Sequence, residues 1–285
     1  MYNPVGHQVL ADVNGDGATD RVGRSSDEVL LQLADGEGGL GGPTQVYEQW
    51  GGVSGLAVFD VDGDGNRDIL EVSADGPSDL NTSLAVHHGD GTGQFAAPRR
   101  HPIGLAALAS ETIGTDVDAD GDTDVVILGG RDEQVLVFLN DGTGDFRPPG
   151  RYLPRSGYPA CGLAVTDVDE DGSVDLLTRS RDSGPLLLLR GDGTGAFMPL
   201  VEMATADPGW CPGQLLADFD GDGHLDQVTS GVKVRTGDGS GQFPELRGLH
   251  RGWPMIAELD GDARPDLVVV DFDEPATYVY LNRLS

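Results

Sequence analysis

The sequence predicts an all-β repeat protein, a β-propeller of six four-stranded blades, and three observations predict it. An acidic nine-residue loop recurs six times, a Gly-Asp-Gly turn recurs in step with it, and short aliphatic runs lie between the two. The loops open at Asp12, Asp60, Asp116, Asp167, Asp218 and Glu258, at steps of 48, 56, 51, 51 and 40 residues. A steady period of roughly 50 residues is the mark of a repeat architecture. The aliphatic runs are short and often β-branched, as strands are, and no window keeps apolar residues at helical spacing.

Each unit opens with a short apolar strand that runs into its loop, named here at residues 9–11, 56–59, 163–165, 215–217 and 255–257. A second strand leaves the loop, as at 68–72, 124–128 and 266–270. The third, as at 83–87, 135–139 and 186–189, ends in the turn Gly89-Asp90-Gly91-Thr92-Gly93-Gln94-Phe95. That turn returns at 140–146, 191–197 and 237–243, and in degraded form at 35–40. Its glycines supply positive φ angles, and its phenylalanine is expected to staple the turn onto the core. A fourth, proline- and arginine-bearing strand such as 96–101 suits an outer edge. The sixth unit stops after its third strand at 277–282, while residues 1–5 precede the first unit without a partner. These five residues are expected to supply the missing outer strand and close the ring, making 1–285 a single domain. Radial repetition of this kind leaves only short, protected edges. Six blades is the expectation and seven the alternative.

Composition bounds the partners. A formal net charge of −30, with 48 acids against 18 lysines and arginines, argues against nucleic acid. The longest wholly aliphatic run is 186–189, so no segment is expected to insert in a membrane. Met1-Tyr2-Asn3-Pro4 lacks the basic start and apolar stretch of a signal peptide. Cys161 and Cys211 lie 50 residues apart, at nearly equivalent places in consecutive units. A bridge between them, suited to an oxidising compartment, and a pair of buried thiols are both open readings.

The loop Asp60-Val61-Asp62-Gly63-Asp64-Gly65-Asn66-Arg67-Asp68 carries carboxylates at positions 1, 3, 5 and 9 and glycine at 6. Calcium takes six to eight hard oxygen ligands, and alternating acids around a sharp turn aim several side chains inward. Position 7 can add its backbone carbonyl, and position 9 closes the shell. Without a cation these carboxylates would repel one another and raise each other's pKa. Six such loops, each with three to five acids, read as about six structural calcium sites, and bound calcium should stabilise the fold by linkage.

The loop and the turn together resemble the FG-GAP and VCBS repeat families, calcium-loop β-propellers related to the head of integrin α subunits. The likeness runs through the whole chain. Residues 7–17 of the first unit also look like the repeats of fungal and bacterial propeller lectins, which have seven blades. Carried over loop by loop, the resemblance implies these ligands at positions 1, 3, 5, 7 and 9. They are Asp12, Asn14, Asp16, Ala18 and Asp20; Asp60, Asp62, Asp64, Asn66 and Asp68; and Asp116, Asp118, Asp120, Asp122 and Asp124. They continue with Asp167, Asp169, Asp171, Ser173 and Asp175; Asp218, Asp220, Asp222, His224 and Asp226; and Glu258, Asp260, Asp262, Arg264 and Asp266. Asn14 removes a charge from the first site, and Glu258 and Ala263 make the sixth the least regular, so these two are expected to bind most weakly.

Loops and Gly-Asp-Gly turns share one face of such a propeller, and the more varied connections lie on the other. Trp50, Trp210 and Trp253 are placed in inter-blade connections with Tyr158, and Arg131, Arg179 and Arg181 in turns between second and third strands. Aromatics beside arginines make recognition surfaces, while tryptophans that wedge blades together are the plainer reading. The chain is therefore expected to be a secreted or cell-surface protein that binds a glycan or an extracellular protein. The alternative is a domain of a polysaccharide-lyase-type enzyme. Such chemistry needs clustered His, Tyr or Lys, whereas His7, His87, His88, His101, His224 and His250 are scattered and Lys233 is the sole lysine. The expectation is that the chain is not an enzyme.

Overall fold

The computed structural model describes residues 8–24, 28–48, 53–74, 82–103, 109–129, 134–152, 160–180, 185–203, 215–228, 233–243, 247–248, 252–262, 264–271 and 274–282. These form 23 strands and no helix, in two compact units, Met1–Leu153 and Pro154–Ser285.

The first unit holds three antiparallel sheets of four strands, each in sequence order. The first sheet is β1 (Gln8–Ala11), β2 (Asp20–Arg24), β3 (Glu28–Gln32) and β4 (Thr44–Glu48). The second is β5 (Val53–Phe59), β6 (Asp68–Ala74), β7 (Thr82–His87) and β8 (Arg99–Pro102). The third is β9 (Ala109–Thr115), β10 (Asp124–Gly129), β11 (Val135–Phe138) and β12 (Gly150–Tyr152). Strand alternation divides β6 between two cores. Ile69 joins Val13, Val22, Val29 and Leu31 of the first sheet, while Leu70 and Val72 join Val125, Ile127, Leu136 and Phe138 of the third. A middle sheet buried on both sides needs apolar residues at both parities, hence its nearly continuous aliphatic run.

β9 is the first strand missed in the sequence, because Ala-Ser-Glu-Thr-Ile-Gly-Thr carries little apolar signal. Its polar and small residues answer a close neighbour. A Cβ at Gly114 would stand 2.5 Å from the Phe59 ring, and one at Gly55 would stand 2.5 Å from Thr112 Oγ1. Each glycine admits a side chain from the adjoining sheet. Gly55 also follows a register shift in the β5–β6 pairing, and beyond that shift β5 reaches back to Val53 rather than starting at Leu56.

The second unit holds β13 (Ala160–Thr166), β14 (Asp175–Ser180), β15 (Leu186–Leu189) and β16 (Val201–Met203) in one sheet, and β17 (Leu215–Ala217), β18 (Asp226–Val228), β19 (Lys233–Arg235) and β20 (Arg247–Gly248) in another. Its third sheet is β21 (Gly252–Ala257), β22 (Asp266–Asp271) and β23 (Thr277–Tyr280). This sheet has three strands among the described residues, and residues 1–5, expected to complete it, lie outside them. Leu177, Leu186, Leu188 and Phe243 form one core of the unit, and Val228, Leu267 and Val269 another.

The turn phenylalanines pack inward as expected. Phe95 lies against the core shared by the first two sheets, and Phe146 meets Phe138 edge-on at 6.0 Å. Threonine in the turn has a use that the sequence reading left unexplained. Thr92, Thr143 and Thr194 each donate a hydroxyl to the preceding aspartate, at 2.6–2.7 Å, and Ser240 does the same at 2.5 Å.

Candidate metal-binding loops

The loops repeat a hydrogen-bond plan. In the first five, the position-1 carboxylate accepts the backbone N–H of the position-6 glycine, for example Gly65 to Asp60 at 2.9 Å and Gly172 to Asp167 at 2.9 Å. The position-5 carboxylate accepts the N–H of position 7, as from Asn66 to Asp64 and from His224 to Asp222. The loop backbone turns left-handed at position 4 as well as at 6. Position 4 is Ala119 in the third loop and Glu170 in the fourth, both at φ 59°, where glycine is usual.

The ninth residue does more than complete a ligand set. Asp20, Asp68, Asp124, Asp175, Asp226 and Asp266 are all essentially buried. One oxygen of each accepts the N–H of loop position 2, on Val13, Val61, Val117, Val168, Phe219 and Leu259, at 2.7–3.0 Å. The other accepts an N–H where the third strand ends, on Ala34, Gly89, Asn140, Gly191, Gly237 and Asn282, at 2.8–2.9 Å. One carboxylate thus ties both turns at this end of each sheet. Spacing marks the position as acidic but does not reveal the second bond.

These loops suit a hard cation. Ligand oxygens of Asp60, Asp62 and Asp64 lie within 4.8 Å of one another, as do those of Asp116, Asp118 and Asp124, of Asp167, Asp169 and Asp175, and of Asp218, Asp220 and Asp226. Asp60 Oδ1, Asp116 Oδ1, Asp118 Oδ1 and Asp169 Oδ1 are shielded from solvent and meet no hydrogen-bond donor among the described residues. Buried carboxylate oxygens without a donor are costly unless a cation takes them. Burial pushes the carboxyls of Asp68, Asp175 and Asp226 up, and that of Asp124 up to about 6, against the two backbone donors that favour the anion. At Asp12, the Gly17 N–H holds the carboxyl below its usual range.

In the first loop Asn14 turns its amide to Asp16 Oδ2 at 2.9 Å, engaging an oxygen of the next acid. In the sixth, Glu258 accepts the Gly261 N–H at 2.5 Å, and Ala263 lies outside the described residues. Two histidine side chains meet acids of the loops, His88 from outside them and His224 across to the loop before its own. His88 Nδ1 lies 3.0 Å from Asp62 Oδ2, and His224 Nδ1 lies 2.6 Å from Glu170 Oε1 of the preceding loop. His87, next to His88 in the chain, instead faces the buried Glu71, at 3.6 Å.

The expected recognition residues are mostly out of view. Trp50, Tyr158, Trp210, Arg131, Arg181 and Cys211 lie outside the described residues. Trp253 belongs to β21 rather than to a connection, paired with Val270. Pro254 beside it fits this strand, because among the described residues β21 pairs on one side only, and an edge strand tolerates proline. Arg179 likewise belongs to β14 rather than to a turn, at 5% exposure, since β14 runs on to Ser180. Cys161 lies in β13 opposite Arg179, and its side chain is outside the described residues.

Residues 116–178 and 167–229 each match the FG-GAP-like repeat family. The chain is 30% identical over 141 residues to a UPF0301 protein of Anaeromyxobacter sp. (strain K), a match that takes in 48% of this chain and 68% of that one. Among solved structures, it is similar to an Agrocybe aegerita lectin described for its recognition of non-reducing terminal N-acetylglucosamine. That match has a TM-score of 0.69 at 21% identity, over 98% of this chain and 77% of the lectin. A protein from Lactobacillus plantarum matches with a TM-score of 0.58 at 13% identity, over 97% and 82%. These likenesses are of fold: all-β, with propeller-like four-stranded sheets.

Proposed function

We propose that this chain, which belongs with the FG-GAP-like repeat proteins, is a calcium-stabilised, non-catalytic binding propeller, secreted or held at a cell surface. Its partner is a glycan or an extracellular protein. The observation that carries the reading is the repeated loop in which carboxylate oxygens converge and several stay buried without a donor. Calcium would be held by positions 1, 3, 5 and 9 of each loop, with the position-7 carbonyl. It would supply charge neutralisation and rigidity rather than chemistry. The chain's own part is to tie each loop to the neighbouring turn through the ninth aspartate, so that a stiffened loop fixes the strand ends beside it.

The likeness to a lectin that recognises N-acetylglucosamine supports a glycan as the first partner to try. Recognition on the face opposite the loops, through Trp50, Tyr158, Trp210, Arg131 and Arg181, belongs to the same proposal, without Arg179, which is buried in β14, and Trp253, which is part of β21. A glycan array run in calcium, including N-acetylglucosamine and anionic sugars, tests it. Specific signal lost on Trp210→Ala, at unchanged calcium content, is the expected result. Absence of glycan binding in calcium-loaded protein removes the glycan arm and leaves protein partners.

A further inference from the structure

A recess in the second unit leaves two arginines with unmet donors. Leu188, Met203 and Phe243 give it an apolar wall and Arg190, Arg235 and Glu202 a polar one, around a volume of about 510 Å³. Arg235, at the end of β19, is 7% exposed, and its buried Nε–H has no acceptor among the described residues. Arg190 is fixed from one side: Nη1 lies 3.0 Å from Asp169 Oδ2, and Nη2 donates to the Ser240 carbonyl at 2.9 Å. Its Nε is also buried without an acceptor.

A guanidinium that is buried and unpaired is unfavourable, because desolvation is not offset by any partner. In a chain of 48 acids, carboxylates are the most plentiful charged partners, yet among the described residues none forms an ion pair with Arg235, although Glu202 lines the same recess. The acceptor is then expected from outside. We propose that this recess binds a small ring-bearing carboxylate, an acidic monosaccharide in size and chemistry. The terminal N–H groups of Arg235 donate to the carboxylate, Arg190 adds a second positive charge on the wall, and one face of the ring lies on Phe243 and Leu188. The volume falls in the range of small-ligand sites, about 300–1,000 Å³. Glu202 on the wall sets the charge limit. It repels a second negative group, so a singly charged ligand is favoured over a phosphate dianion or a polyanion.

The proposal rests on the binding function above but not on the tryptophans, and it meets the calcium loops only where Asp169 holds Arg190. The experiment is calorimetric titration of the calcium-loaded protein with glucuronic acid, glucose and sulfate, on wild type and on Arg235→Met. Glucuronic acid is expected to bind wild type at least ten-fold more tightly than glucose or sulfate, and to lose ten-fold or more in Arg235→Met. Without ligand, that variant should keep its calcium and melt no lower than wild type, since an apolar side chain replaces an unpaired buried cation. Failure of glucuronic acid to bind wild type, or equal binding by the variant, overturns the site. A lower melting temperature in the unliganded variant also overturns it, by making Arg235 a structural group. Sulfate binding as tightly as glucuronic acid overturns the ring and leaves a bare oxyanion site. Calcium content and the glycan array are read separately, so this site can fail while the binding function stands.

Discussion

Asp124 is one residue under three demands. Its oxygens accept N–H groups from Val117 and Asn140, its neighbours Asp118 and Asp120 repel its charge, and burial lifts its carboxyl to about 6. A folded-state pKa above the unfolded value means that the folded, metal-free protein holds this proton more tightly than the unfolded chain does. Its stability should therefore fall as pH rises from about 4 through 6. Metal-free protein is expected to melt higher at pH 5 than Asp124 ionisation allows at pH 7, and calcium, which needs the anion, should raise the melting temperature more at pH 7 than at pH 5. Burial pushes His101 down, which gives the opposite slope, so Asp124→Asn is the comparison that isolates the carboxylate. A pH profile of the metal-free variant as steep as that of wild type would refute the assignment. Ala119 offers a second residue-scale test, because it sits at φ 59° where glycine is unstrained. Ala119→Gly is expected to stabilise by about 0.5–1 kcal/mol in urea unfolding, the relief of about 1–2 kcal/mol being partly offset by added freedom of the unfolded chain.

At the scale of the element, the strand–loop–strand–turn unit is where sequence and structure agree best. Asp68, Asp124 and Asp266 begin their strands as expected, and Leu186–Leu189 is the strand at its predicted bounds. Period-2 aliphatic runs and fixed glycine offsets are local signals, so they are legible in one dimension. What escaped depends on neighbours distant in sequence. β9 looked polar because its partner surface is the Phe59 ring, and Arg179 looked like a turn residue because nothing local shows that β14 runs on to Ser180. Arg190 and Arg235 carry no local signal until two sheets bring them to one recess, and His88 finds Asp62 only once the third strand folds back. The threonine of the turn gives this scale its test. Thr143→Val removes the 2.6 Å bond to Asp141, and a loss of about 0.5–1.5 kcal/mol is expected in urea unfolding. No measurable change would reduce that bond to an ornament of an exposed turn.

Over the whole molecule, the loops decide how stability responds to metal. With a net charge of −30, the metal-free chain works against its own repulsion, and calcium held as proposed would relieve it by binding the folded state. Chelator is expected to lower the melting temperature by several degrees, and elemental analysis of protein dialysed in calcium should count about six ions per chain. Unchanged melting together with no bound calcium would remove calcium from the account.

The doubly bonded ninth aspartate also says where the chain is free to change length. From that residue to the N–H it holds at the third strand's end, the separation is 14, 21, 16, 16, 11 and 16 residues in the six units. Both anchors stay put while the path between them nearly doubles from the fifth unit to the second. Growth is thus exported to the hairpin far from the loops, and the loop end keeps its register. A tag or a grafted peptide placed in that hairpin should leave the acidic end of its sheet undisturbed, whereas a single residue inserted between loop positions 1 and 9 should not. The same division lets copies of the unit diverge at one end while duplication preserves the other.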